Sequence, residues 1–139
     1  MPRRAIADTG PLVAYFDRRE RYHDWAVSQF NVLAPPLLIS EPVLTETLYL
    51  LRHFPSAIDA VLNLLATGVL QIAFSLADSL TGVRALMAKY NDTPMSLADA
   101  CVVRMSEMNV NHHILTLDSD FLVYRGHGNQ ILALISPIK

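Results

Sequence analysis

The sequence predicts an α/β fold in which helices cover both faces of a largely parallel sheet. Three observations carry that expectation. Short apolar runs alternate with segments of helical period, and the intervening helices are long enough to return the chain to a parallel neighbour. The composition, 52% hydrophobic and 17% charged, supplies apolar surface for a core between layers. At 139 residues the chain is near the commonest domain size, so one domain over 1–139 is expected.

The elements follow in order. "RRAIAD" (3–8) is a short strand, and "GPLVAYF" continues as a helix with Pro11 suited to its first turn. "HDWAVSQFNVL" (23–33) has helical spacing, and "PPLLIS" (35–40) is a strand after a Pro-Pro loop. "SEPVLTETLYLLRH" (40–53) is a helix with Ser40 as N-cap, presenting Val43, Thr47, Leu50 and Leu51 along one stripe. "SAIDAVLNLLATG" (56–68) places Ser56 and Asp59 at capping-box spacing and Gly68 as a stop. "VLQIAF" (69–74) is a strand, "ADSLTGVRALMAKY" (77–90) a helix, "SLADACVVRMSEM" (96–108) a helix, "HHILTL" (112–117) a strand and "QILALIS" (130–136) the last strand. Segments 16–23 and 124–130 are the loops expected to move.

Composition also excludes classes of function. No apolar run reaches the roughly 20 residues that cross a bilayer, and no apolar stretch follows the N-terminal arginines as a secretory signal requires; a cytoplasmic protein with no membrane partner is expected. Cys101 is the sole cysteine, so a disulfide within the chain and a thiolate zinc site are both excluded, and the residue reads as core. A formal net charge of −2 argues against non-specific coating of nucleic acid.

In a parallel sheet, ligands bind beyond the carboxyl ends of the strands, where strand order reverses. Asp8 closes the first strand, Glu41 lies past the second and Asp118 closes the fourth, so these acids share one edge. Glu46 and Asp99 interrupt otherwise apolar stretches of helices that begin there. Two like charges 4 Å apart repel by about 4 kcal/mol at an effective dielectric near 20, so such a gathering needs raised pKa values or a hard cation. An all-carboxylate set suits Mg²⁺ or Mn²⁺ rather than Zn²⁺. The chemistry a cation offers there is phosphodiester hydrolysis by water.

Four segments, "IADTGPLVAYFDRRERYHDWA", "EPVLTETLYLLR", "PMSLADACVVRM" and "LTLDSDFLVYRGHG", resemble in this order the PIN-domain family, specifically the VapC-type toxins. The resemblance implies a three-layer α/β/α fold with a central, mainly parallel sheet of about five strands. It implies a Mg²⁺-dependent endoribonuclease acting on RNA, the toxin of a type II toxin–antitoxin pair, with a cognate antitoxin and a homodimer as partners. The family's acids fall on Asp8, Glu46, Asp99 and Asp118, with Asp120 as a further metal ligand and Thr9 or Thr116 as the accompanying hydroxyl. The alternative is a catalytically silent PIN-like module for RNA binding or dimerisation. A phosphoryl-transfer enzyme with an aspartyl acceptor is disfavoured, because Gly10 stands where a second Asp would follow Asp8.

Each residue also has a plainer reading. Asp99 completes a capping box with Ser96, and Glu41 rather than Glu46 would win on strand-end position alone. His112 and His113 point to opposite faces of a strand and do not share an ion. His23 is a helix-start residue, and "RRER" (18–21), Arg125 and His127 are solvated loop residues unless they form a basic rim for phosphates.

Overall fold

The computed structural model, which describes residues 2–138, arranges five strands in one parallel sheet of order β3-β2-β1-β4-β5. These are β1 Arg4–Ala7, β2 Leu37–Ile39, β3 Leu70–Ile72, β4 His112–Leu115 and β5 Leu134–Ile135. Six helices connect them: α1 Thr9–Phe16, α2 His23–Val32, α3 Glu41–Leu50, α4 Pro55–Thr67, α5 Leu76–Lys89 and α6 Leu97–Met108. From β1 the chain steps outward through β2 to β3, then returns to the other side of β1 for β4 and β5. Right-handed crossovers in these two directions place helices on opposite faces, which gives the three layers. Accordingly α1 packs against α2 and α3, and α5 against α6.

The central strands are apolar because they are covered on both sides. Ala5, Ile6 and Ala7 of β1, and Ile114 and Leu115 of β4, are wholly buried, as are Val43, Leu51, Met105 and Cys101 from the helices. Burying each large aliphatic side chain stabilises the fold by roughly 1.5–3 kcal/mol. Burial pushes the Cys101 thiol up to about 11, so it behaves as a small apolar core residue, as expected. Among the described residues, no helix is long and apolar enough to cross a membrane.

The local signals mostly act as read. Ser40 accepts the Val43 N–H at 3.3 Å to start α3, and Gly68 ends α4 at φ 83°, in the left-handed region. Three expectations need correction. The Ser56–Asp59 capping box does not form: Phe54 is the N-cap and Pro55 opens α4, since proline fits the first helical position and leaves Ser56 already inside the helix. Leu50 is 51% exposed, because α3 ends there and Leu51 takes the buried place. The last strand is only two residues long; Ile131 instead bridges back to Arg125, and the Gly126 N–H donates to the Gln130 carbonyl.

Candidate metal centre

The strand-order reversal lies between β1 and β4, whose pairing runs in register from Arg4↔His112 to Ala7↔Leu115. Asp8 is the next residue after β1 and caps α1 in extended conformation. Thr116 is the next residue after β4, and its hydroxyl donates to Asp8 Oδ2 at 2.8 Å. The Thr116 hydroxyl oxygen in turn accepts the Asp118 N–H at 3.0 Å. One buried hydroxyl therefore ties together the ends of the two strands that flank the crevice. The other hydroxyl, Thr9, donates to Glu46 Oε1 at 2.9 Å and fixes that α3 carboxylate from the first residue of α1.

Asp118 does not close β4 as the sequence suggested. The strand stops at Leu115, and Asp118 caps a 3-10 turn over Ser119–Leu122, with Oδ1 accepting the Asp120 N–H at 2.9 Å. That short turn swings Asp120 back towards the crevice. Asp99 forms its capping box with Ser96, as the spacing suggested: Ser96 Oγ accepts the Asp99 N–H at 3.0 Å, and Asp99 Oδ2 accepts the Ser96 N–H at 3.3 Å. The cap does not remove Asp99 from the crevice. It is 9% exposed and places its carboxylate beside the 3-10 turn.

Asp8, Thr9, Glu46, Asp99, Asp118 and Asp120 all line one cavity of about 590 Å³. Asp99, Asp118 and Asp120 each offer an oxygen within 4.8 Å of the others. Asp8 and Glu46 face the same space but are not in that closest set. Glu41, which strand-end position alone favours, is absent from this cavity, whereas Glu46 of the same helix lines it.

The electrostatics match the crowding. Asp8 is 5% exposed, and burial, with the Asp99 and Asp118 charges adding, raises its carboxyl to about 7 against the lowering effect of the Thr116 hydrogen bond. Asp99 is raised as well, again chiefly by burial and then by Asp118, while hydrogen bonds from Tyr124 and Ser96 oppose the rise. Among the described residues no Lys or Arg lines the cavity. The oxygen-only donor set, with three carboxylates converging, therefore fits a hard divalent cation.

Tyr124 went unnoticed in the sequence. It is wholly buried, packs edge-on to Phe121 and Tyr90, and donates its hydroxyl to Asp99 Oδ2 at 3.0 Å. With Ser96 on the same oxygen, Asp99 is gripped through Oδ2. The available signal was the Phe121-x-x-Tyr124 spacing directly after the acidic turn. Because Tyr124 is anchored, and the Arg125 N–H donates to Tyr90 Oη at 2.8 Å, the start of segment 124–130 is fixed in the core rather than free to swing.

The basic residues lie elsewhere. Helix α1 leaves the acidic edge at Thr9 and runs away from it, so 18–21 come at the far end; Arg19 pairs with Asp17 at 3.1 Å and lies 4.7 Å over the Phe54 ring. Arg125 donates to the carbonyls of Leu122, Val123 and Tyr124, and His127 lies 3.4 Å from Glu107. His23 Nδ1 is 2.7 Å from the Ala14 carbonyl, a contact that holds the start of α2.

A parallel sheet with an acidic crevice at its strand-order reversal has the donor set to hold a divalent cation. The chain belongs to the PIN domain family, whose model matches residues 5–126. It is also 34% identical over 115 residues to "Ribonuclease VapC26" of Mycobacterium tuberculosis (strain ATCC 25618 / H37Rv), a match that covers 81% of this chain and 85% of that protein.

Proposed function

We propose that this protein is a Mg²⁺-dependent endoribonuclease and the toxin of a toxin–antitoxin pair, acting in the cytoplasm as a homodimer and restrained by a cognate antitoxin. Membership of the PIN domain family and the similarity to a VapC ribonuclease support the nuclease reading. The observation that carries it is the approach of Asp99, Asp118 and Asp120 within 4.8 Å in a cavity shared with Asp8 and Glu46.

A divalent cation bound there supplies positive charge to a phosphoryl oxygen and makes water easier to deprotonate. Asp99, Asp118 and Asp120 would hold it, with Asp8 completing the acidic wall and Thr116 orienting Asp8. Glu46, fixed by Thr9, positions the attacking water and takes its proton. Attack at phosphorus forms a new P–O bond as the opposite P–O bond breaks in line, and the departing oxygen takes a proton from solvent. Tyr124 and Ser96 keep Asp99 in one orientation, so little reorganisation is needed when charge develops.

The test is to sequence the 5′ ends of cellular RNA after brief induction of the parent and of Asp8→Ala, alongside cleavage of single-stranded RNA by both purified proteins in Mg²⁺ or Mn²⁺. New ends with the parent alone are expected. Identical ends from both proteins, or intact RNA with the purified parent, would overturn the reading.

A further inference from the structure

Next to the acidic cavity lies a second one of about 480 Å³, and the two share Glu46 and Ser96. Pro42, Phe74, Leu76 and Leu97 give it an apolar lining, to which Glu41 and Thr45 add polar groups. Leu97 opens α6 two residues before Asp99 and is 39% exposed. Among the described residues no Lys or Arg lines this cavity, and it lacks the converging trio of carboxylates that could hold a cation next door, so it does not suit a phosphate. An apolar lining that includes an aromatic ring suits the flat face of an unstacked base.

The polar groups supplied by α3 are acceptors. The Thr45 hydroxyl spends its proton on the Glu41 carbonyl at 3.0 Å, Glu46 already receives Thr9, and the Glu41 carboxylate has no hydrogen-bond or ion-pair partner among the described residues. A carboxylate accepts only, so it selects a ligand edge with adjacent N–H donors. Guanine offers two, N1–H and the N2 amine, side by side. Adenine and cytosine set a ring-nitrogen acceptor beside their amine, and uracil flanks its one N–H with carbonyls.

We propose that this cavity is a nucleobase subsite, in which the Glu41 carboxylate reads a guanine flanking the scissile phosphate while Phe74 and Leu97 support its face. The subsite rests on the ribonuclease reading, since the phosphate must occupy the acidic cavity next door.

The test uses purified protein with Mn²⁺ and single-stranded RNA oligonucleotides identical except at the nucleotides on either side of the cut. Guanosine should be preferred, and inosine, which lacks the N2 amine, should lower kcat/KM roughly tenfold or more, the discrimination typical of losing a paired base contact. Glu41→Gln should erase the difference between guanosine and inosine, and Leu97→Ser should raise KM with unchanged thermal melting. Equal cleavage of all bases, preference for another base, or guanosine preference surviving in Glu41→Gln would overturn the subsite while leaving the nuclease reading intact. If the parent cleaves none of the oligonucleotides, the nuclease reading itself falls, and the subsite with it.

Discussion

Replacing Asp8 with Asn isolates the cost of ionising a buried carboxylate beside other acids without a cation. The Asp8 carboxyl rises from 3.8 to about 7 in the fold, mainly because it is buried. Between those values the folded protein keeps a proton that the unfolded chain has released. Stability in the absence of cation is therefore full below pH 4 and falls as pH rises towards 7. Each pKa unit corresponds to about 1.4 kcal/mol, which sets an upper bound of about 4 kcal/mol on the loss, a large part of a total stability of roughly 5–15 kcal/mol. Asn cannot ionise yet still accepts the Thr116 hydroxyl. Urea unfolding at pH 8 in EDTA should thus find Asp8→Asn more stable by about 2–4 kcal/mol, with the two proteins converging near pH 4. Saturating Mn²⁺ should stabilise the parent, by about 2.7 kcal/mol at a hundredfold excess over Kd, and should act less on the variant. Parallel pH profiles for the two proteins in EDTA would refute the reasoning.

Other perturbations probe the same architecture. Thr116→Val removes the donor to Asp8 and the acceptor for the Asp118 N–H, and should cost about 2 kcal/mol or more, rising with pH, by urea denaturation. Tyr124→Phe keeps the ring packing but frees Asp99 Oδ2 of one donor; Mn²⁺ titration followed by paramagnetic resonance should show weaker binding, by about fivefold to tenfold. His112 and His113 have Nδ1 atoms that are buried without partners, and burial, then Arg4 and Arg3 respectively, lowers both rings. The unfolded chain takes up these protons first, so their contribution is full above about pH 6.5 and is lost as pH falls through the lowered folded values. Replacing both with Phe should flatten that acid limb in thermal melts, and an unchanged limb would assign it to other groups.

The layered architecture was readable because its cues are local. Helical spacing, Ser40 and Ser96 as caps, and Gly68 as a stop act within a turn or two of chain, and the alternation of elements then leaves few topologies. The gathering of Asp8, Glu46, Asp99, Asp118 and Asp120 followed from strand ends and helix starts sharing one edge, with the family motifs choosing Glu46 over Glu41. What stayed hidden depends on contacts between distant segments. Tyr124 reads as one more aromatic until the turn after Asp118 brings it under α6, and nothing near residue 124 announces Asp99. The arginines at 18–21 were open to two readings, a solvated loop or a basic rim, and the eight residues of α1, which carry them away from the acidic edge, favour the loop.

The hydroxyl between Asp8 and Asp118 belongs to a residue one step beyond the Ala7↔Leu115 rung. A slip of that pairing by a single residue would shift Thr116 along the strand by about 3.3 Å and turn it to the opposite face. The spacing of the reactive groups is thus the alignment of two core strands expressed at their tips. Conservative exchanges deep in Ile6 or Ile114, far from any solvent, should therefore register as altered cleavage before they register as unfolding.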